Sequence, residues 1–317
     1  MKYRIAVLLG AVCYGILSTI VTKAYGNGFT LGQVVGSQLA TGCLLAWALV
    51  LVMAARQRRK SGGQMTHPPA NRAAPRATWK QAVLLMAAGM PTGLTGLLYY
   101  ESLRYIPNSL AILLLFQFTW MGVLIDAISR RRRPNAALLV TLAVLLGGTL
   151  LAAGILDRGL DAFRGLGVLF GFLSAVSYTA FILISGKAVP TVHPAQRSAW
   201  MITGAMLFVF VLFPPAFLFD GTLLGGLLPF GFLLGLFGAF LPPLLFAIGV
   251  PRIGEGLTGI LGAAELPVAV MLSSVVLHER VSELQWAGVT LVLLGVALPE
   301  LFRRLSRGAP RSTGVSS

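Results

Sequence analysis

Apolar stretches of about 20 residues recur along the whole length of this 317-residue chain. A helix needs about 20 such residues to cross a hydrocarbon core of about 30 Å. The composition agrees, because 56% of the residues are hydrophobic, 11% are charged and the mean hydropathy is +0.82. Soluble domains contain about 45 to 50% apolar residues. The sequence therefore predicts an all-α integral membrane protein whose membrane helices account for most of the chain.

Apolar runs bounded by charges or by Gly and Pro predict ten membrane spans, which we number in chain order. Spans 1 to 10 lie near residues 4–24, 33–55, 80–103, 108–128, 136–154, 165–187, 197–219, 224–249, 257–277 and 284–302. The first run has a basic flank, but it is too long for a signal-peptide core and lacks a clear cleavage site. We therefore expect it to remain in the protein as span 1.

The Lys and Arg residues lie in short bursts between the spans and predict an orientation. If the amino terminus is cytoplasmic, 20 of them lie on the cytoplasmic side and five on the other side. Positive charge is enriched in cytoplasmic loops, so both termini are predicted to be cytoplasmic, in a bacterial-type plasma membrane. The formal net charge of +15 lies on no amphipathic or aromatic-interleaved face. Nucleic acid is therefore not expected as a partner.

Two segments of the first half of the chain recur in the second half. Residues 11–24 match residues 175–188 at an offset of 164, and residues 104–148 match residues 251–295 at an offset of 147. A basic loop that only the first half contains accounts for the difference between the offsets. Each repeat has five spans, and this odd number inverts the second repeat relative to the first. Such inverted repeats, around a central cavity, are characteristic of secondary transporters.

The predicted domain boundaries follow from this duplication. Residues 1–155 form the first five-helix repeat, which includes a flexible, basic cytoplasmic loop at 56–79. Residues 163–303 form the second five-helix repeat, and residues 304–317 are predicted to be a disordered cytoplasmic tail.

Three segments carry a resemblance to a known family. They are LRYIPNSLAILL in the first half, its counterpart IGVPRIGEGLTGIL, and the ending LSSVVLHERVSELQWAGVTLVLLGVAL with Glu279, Gly288 and Gly295. The chain resembles the EamA-type members of the drug/metabolite transporter superfamily, although the first-half turn RRRRP lacks the glutamate. The resemblance implies a ten-helix fold with a central cavity and the transport of metabolites, often outward.

Helix breaks at equivalent positions of two repeats point to a site at the membrane midplane. Span 3 contains GMPTGLTG, and we predict a break at Pro91 and Gly93. The corresponding part of span 8 is LFGAFLPP, and we predict a break at Pro242 and Pro243. Backbone groups freed by such breaks must find partners in protein or water, so both spans are expected to line a cavity. Close helix packing through small residues, or a simple kink, is the alternative interpretation.

Glu265 lies near the centre of span 9, two residues before Pro267, which adds a third predicted break. An acidic side chain at that depth costs about 2.5 to 3.5 kcal/mol on insertion scales. We therefore predict that Glu265 binds an ammonium group of the substrate or takes up a proton whose release is tied to substrate movement. The alternative is a protonated side chain that hydrogen-bonds a neighbouring helix.

Polar and aromatic residues at midspan are further candidates for the cavity wall. Gln117 lies at the centre of span 4, one position from the repeat equivalent of Glu265, and Trp120 matches Pro267. We predict that both contact substrate.

Two pairs of tyrosines have different predicted roles. Tyr14 and Tyr178 occupy matching midspan positions, and each is expected either to face substrate or to hold helices together. Tyr99 and Tyr100 lie near the outer end of span 3, where aromatic residues are expected as interface anchors.

No enzyme motif occurs in the sequence: there is no Walker loop, no HExxH and no cluster of His and Cys ligands. We expect no catalytic activity, metal or cofactor. The prediction is a secondary transporter, not driven by ATP, that exports a small metabolite such as an amino acid or a drug-like compound by alternating access. Its expected partners are that substrate, the lipid bilayer and protons as a candidate coupling ion. A membrane scaffold or accessory protein, and a flippase of lipid-linked sugars with the same fold, are the alternatives.

Overall fold

The computed structural model describes residues 1–61, 77–129, 136–152, 164–278 and 281–308. Most of the predicted cytoplasmic loop, the end of the predicted tail and Glu279 lie outside the described residues. Within the described part, every regular element is helical. The α-helices are α1 (Lys2–Gly15), α2 (Leu17–Gly26), α3 (Leu31–Ser61), α4 (Trp79–Ser102), α5 (Asn108–Leu115), α6 (Phe118–Ser129), α7 (Ala136–Ala152), α8 (Gly165–Lys187), α9 (Pro194–Leu212), α10 (Leu228–Leu234), α11 (Leu241–Ile253), α12 (Glu255–Gly262), α13 (Glu265–Val276) and α14 (Glu283–Gly308).

Six helical segments of the described chain are long and apolar enough to cross a membrane. They are Lys2–Gly26, Leu31–Arg56, Trp79–Ser102, Gly165–Ser185, Pro194–Leu212 and Leu223–Ile253, which match predicted spans 1, 2, 3, 6, 7 and 8. Four shorter apolar helices lie where spans 4, 5, 9 and 10 are predicted: Leu110–Gly122, Leu138–Ala152, Ile260–Val276 and Glu283–Gly295. By length and composition, these helices define an integral membrane protein.

Two predicted boundaries need correction. Helix α3 continues to Ser61, so the start of the predicted loop at 56–79 is helical. Helix α14 continues to Gly308, so residues 304–308 are helical where the sequence predicts a disordered tail. In both cases a membrane helix extends beyond its apolar part into a basic segment. Hydropathy marks only the apolar part, because charged residues do not stop a helix that the preceding turns have already nucleated.

Span 9 is interrupted at its middle, between α12 and α13. Pro267 has no backbone N–H to donate to the carbonyl oxygen of Ala263, four residues earlier. The N–H of Leu266 bonds that oxygen instead, at 3.2 Å, in a tighter turn. Pro267 itself then lies in the first turn of α13, a position where proline is well tolerated. The predicted break in span 9 is therefore present.

Span 8 changes its helical type where the sequence predicts a break. Residues Gly235–Phe240 form a π-helical segment between α10 and α11, and Pro242 and Pro243 lie in the first turn of α11. The two prolines cannot donate to the carbonyl groups of Gly238 and Ala239, so the α-helical hydrogen-bond ladder cannot continue through this point.

Span 3 differs from its prediction, because α4 is one continuous helix with Pro91 inside it. The predicted break at Pro91 and Gly93 is therefore wrong. Neighbouring side chains support the helix here: the hydroxyls of Thr95 and Ser177 donate to the Pro91 carbonyl oxygen at 2.7 and 2.8 Å. A Cβ added to Gly93 would lie 3.0 Å from the carbonyl oxygen of Ala205 in α9. Pro91 and Gly93 thus belong to close helix packing, which is common between membrane helices.

The spans pack in a pattern that relates the two halves of the chain. Span 3 packs against spans 6 and 7, and span 8 packs against spans 1 and 2. Span 4 packs against spans 6 and 9, and span 9 also packs against span 1. Spans 5 and 10 form a pair, α7 with α14, in which a Cβ added to Gly288 would lie 2.6 Å from the carbonyl oxygen of Gly148.

Candidate functional site

Seven of the spans surround a cavity with about 490 Å³ of empty space, including its opening. Span 3 contributes the largest share of the wall, and the rest comes from spans 1, 2, 4, 6, 8 and 9. The polar lining residues are Tyr14, Gln38, Thr92, Thr95, Tyr99, Tyr100, Tyr178 and Glu265.

Glu265 supplies the acidic group of the cavity. It is the first residue of α13, directly after the interruption of span 9, and it lines the cavity. The residue is 5% exposed, and its Oε2 atom has no hydrogen-bond partner among the described residues. A buried carboxyl oxygen without a partner is costly, which indicates a group that is completed by a ligand or by a proton.

Tyr14 and Tyr178 are distant in sequence but adjacent in the cavity wall. Their ring centroids are 5.7 Å apart, with planes at 83°. The Tyr178 ring also packs edge to face against Phe118, at 4.7 Å. The Tyr178 hydroxyl is buried and has no hydrogen-bond partner among the described residues. The sequence prediction left both tyrosines between substrate contact and helix packing. Both line the cavity, and both pack against aromatic rings of other spans.

Span 3, which the sequence places beside a cavity, lines it through residues that the sequence interpretation did not select. Thr92, Thr95, Tyr99 and Tyr100 line the cavity, and the two tyrosines are only 6% and 2% exposed. Their assignment as interface anchors is therefore wrong. The spacing of three, four and one residues places all four side chains on one side of a helix. That periodicity was the available signal, and it continues through Gly96, which also lines the cavity.

Gln38 of span 2 is a second lining residue that the sequence interpretation missed. The Tyr100 hydroxyl donates to Gln38 Oε1 at 2.9 Å. A Cβ added to Gly238 would lie 2.5 Å from Gln38 Nε2. Because Gly238 has no side chain, the π-helical segment of span 8 leaves room for the Gln38 amide.

Gln117 and Trp120 do not line this cavity. Gln117 lies between α5 and α6. Its backbone N–H donates to the carbonyl oxygen of Leu114, and not to that of Leu113 as in a continuous α-helix. The Gln117 side-chain amide donates to that oxygen at 3.0 Å, and Trp120 Nε1 donates to Gln117 Oε1 at 2.8 Å. These two side chains therefore provide hydrogen bonds at the interruption of span 4. Pro242, Pro243 and Pro267 likewise shape the helices and are absent from the cavity wall.

We expect Gln117→Ala to lower stability with little effect on transport selectivity. The substitution removes the two hydrogen bonds that Gln117 makes across the interruption, at a cost of about 1 to 3 kcal/mol. Thermal unfolding in detergent measures the first effect, and the KM of the transported compound measures the second. A changed KM with unchanged thermal stability would instead assign Gln117 to the cavity.

Within the described residues, no group of three or more His, Cys, Asp or Glu side chains is arranged to hold a metal ion. The described residues of the cavity wall include no Lys, Arg or His. They provide one carboxyl group, several hydroxyl groups, one amide and four aromatic rings.

These features define a polytopic helical membrane protein with an internal cavity lined by polar and aromatic side chains. Residues 165–299 match the model of the EamA-like transporter family. The resemblance found in the sequence is thereby confirmed. The chain is also 24% identical, over 217 residues, to an uncharacterized transporter of Synechocystis sp., a match that covers 67% of this chain and 65% of that transporter.

The fold of nearly the whole chain has a counterpart among solved structures. A crystal structure of a protein that is 18% identical in sequence superposes with a TM-score of 0.70, covering 96% of this chain and 98% of the other. The similarity therefore includes the first half of the chain as well as the EamA-like second half.

Proposed function

We propose that the protein is a secondary transporter that carries a small molecule across the membrane by alternating access, in the outward direction. The observation that carries this proposal is the cavity among seven spans, with the unpartnered carboxyl oxygen of Glu265 in its wall. A scaffold that only packs its helices has no need for a buried acidic group beside empty space. The transporter match and the EamA-like half agree with this function.

Two inverted five-span repeats are the architecture that we propose for the alternation. The bounds of the helices support it: α5 (Asn108–Leu115) and α6 (Phe118–Ser129) recur 147 residues later as α12 (Glu255–Gly262) and α13 (Glu265–Val276). All four bounds shift by the same offset that the sequence comparison gives. Span 4 and span 9 are thus interrupted at the same place, which is typical of repeats in secondary transporters.

The packing of the spans supports the same architecture. If each span is exchanged for the one five places away, the contacts of span 3 with spans 6 and 7 become those of span 8 with spans 1 and 2. The contact of span 4 with span 6 becomes that of span 9 with span 1, and the pairs 5 with 10 and 4 with 9 map onto themselves. Two arrangements related by such an exchange have similar energies, and rocking between them opens the cavity to either side.

Glu265 is the group that we propose to couple transport to protons. Its neighbours on the packed elements are Tyr14 of span 1, Tyr99 and Tyr100 of span 3, and Tyr178 of span 6, all of which interact with it electrostatically. In the part of the cavity wall that the structure describes, no cationic side chain is present to neutralise the carboxylate. The carboxyl group therefore holds either a proton or a positively charged ligand. The exchange of one for the other links the movement of protons to the movement of substrate.

Transport by the purified protein tests the proposal. Proteoliposomes with an outward or inward pH gradient are loaded with a panel of metabolites, and efflux is compared with that from protein-free liposomes. We expect efflux of at least one compound to depend on both the protein and the pH gradient. Equal efflux from both kinds of vesicle for every compound would contradict the carrier function and favour a scaffold.

A further inference from the structure

We infer that the cavity selects protonated amines attached to an apolar or aromatic body, and that it rejects anions and zwitterions. This inference rests on the proposed transport function and specifies its substrate class. It follows from the charge, the aromatic rings and the unpartnered polar atoms of the cavity.

The charge of the cavity wall has one sign. Among the described residues that line the cavity, Glu265 is acidic and none is basic. A carboxylate or phosphate on a ligand would therefore face Glu265 without a cationic partner, and burying such an unpaired charge is strongly unfavourable. An amino acid would leave its carboxylate unpaired, and a lipid-linked sugar would leave its phosphates unpaired. A cation without an anionic group satisfies Glu265 and leaves no charge unpaired.

The aromatic lining favours the same ligand class. Four tyrosine rings line the cavity as two adjacent pairs: Tyr14 with Tyr178, and Tyr99 with Tyr100, whose centroids are 5.8 Å apart. The faces of aromatic rings attract cations, and the same rings provide apolar contact for the rest of the ligand.

The unpartnered polar atoms distinguish a protonated amine from a quaternary ammonium ion. Glu265 Oε2 and the Tyr178 hydroxyl are both buried without a hydrogen-bond partner. Both residues line the cavity, and their oxygen atoms are not hydrogen-bonded to each other. A ligand with N–H donors can therefore supply the hydrogen bonds that these oxygen atoms lack. A primary ammonium group carries three N–H donors, whereas a quaternary ammonium ion carries none and leaves both oxygen atoms unsatisfied.

A series of compounds with one phenylethyl body tests the inference. The series contains phenethylamine, its N,N,N-trimethyl derivative, the neutral alcohol phenethyl alcohol, the zwitterion phenylalanine and the anion 3-phenylpropionate. Binding to the full-length protein in nanodiscs and efflux from proteoliposomes are measured for each. We expect phenethylamine to bind at least about tenfold more tightly than every other member, because only it supplies both the charge and the N–H donors.

Two variants with the same chemical change separate the proposed contact from a structural effect. Tyr178→Phe removes the unpartnered hydroxyl, and we expect it to weaken phenethylamine binding by about tenfold while leaving the trimethyl derivative unchanged. Tyr105→Phe is the control, because Tyr105 lies outside the cavity wall, where its ring packs against Phe170. It should change neither affinity.

The outcomes distinguish this inference from the proposed function. Preferred transport of the alcohol, the zwitterion or the anion would overturn the selectivity for amines while leaving a carrier. Equal binding of the amine and its trimethyl derivative in the unaltered protein would remove the role of the Tyr178 hydroxyl and overturn the preference for N–H donors. If no compound of the series and none of the metabolite panel is transported, the result would contradict the proposed transport function and therefore this inference as well.

Discussion

Replacing Glu265 by Gln is expected to reduce proton-driven efflux of a transported amine by roughly 100-fold, because it removes the charged partner from a buried pair. Glutamine is close to glutamate in size, so the packing around the start of α13 is preserved. It cannot ionise, so the variant should also lose the dependence of efflux on the pH gradient. Efflux from proteoliposomes at several pH gradients measures both effects.

Glu283→Gln is the matched control for this prediction. Glu283 is an exposed residue in the first turn of α14 and does not line the cavity. The same chemical change there should leave efflux and its pH dependence as in the unaltered protein. Wild-type efflux with wild-type pH dependence in Glu265→Gln would show that this carboxyl group has no role in transport.

Gly288→Ala is expected to lower the free energy of unfolding by about 1 to 3 kcal/mol, the usual cost of forcing extra volume into a packed interior. The added Cβ would clash with the backbone N–H of Ala152 and lie 2.6 Å from the carbonyl oxygen of Gly148. Both neighbours are backbone atoms of α7, so relief requires the two helices to separate. Thermal unfolding in detergent and the yield of folded monomer report the effect.

Gly147→Ala provides the comparison within the same helix pair. An added Cβ at Gly147 would meet nothing within 4 Å, and Ala is about 1 kcal/mol more favourable than Gly inside a helix. This variant should therefore be as stable as the unaltered protein or slightly more stable. If Gly288→Ala unfolds at the same temperature as Gly147→Ala, the backbones of α7 and α14 are not in close contact at Gly288.

The sequence predicts the positions of the apolar helices because hydropathy and charge report directly on burial in lipid. It also repeats at an offset of 147 residues, which is the offset at which α5 and α6 recur as α12 and α13. The breaks in spans 8 and 9 are visible for a related reason: a proline removes a backbone donor wherever it occurs, so Pro242, Pro243 and Pro267 each mark a local change in the helix.

The errors arise where partners distant in the sequence decide the outcome. Pro91 leaves α4 intact because Ser177, from span 6, donates to its carbonyl oxygen together with Thr95. No local pattern contains that contact.

The same limit applies to the polar midspan residues. Gln117 and Glu265 lie at nearly equivalent positions of the two repeats, but Gln117 finds partners within span 4 while Glu265 Oε2 finds none. Hydropathy assigns both to midspan and cannot distinguish a satisfied amide from an unsatisfied carboxyl group. Helical periodicity could have identified the cavity face of span 3. However, tyrosines near the end of a span also fit the pattern of interface anchors, which led to the wrong assignment.

Labelling of Thr95→Cys from each side of the membrane tests the central claim, a cavity that opens alternately to the two faces. Cys13 and Cys43 are first replaced by Ala, and an impermeant thiol reagent is added to right-side-out or inside-out vesicles. Leu94→Cys is the control, because Leu94 neighbours Thr95 but is 37% exposed and does not line the cavity. We expect Thr95→Cys to react from both sides and Leu94→Cys from neither. Complete protection of Thr95→Cys from both sides would contradict the transporter account and leave a protein whose helices only pack.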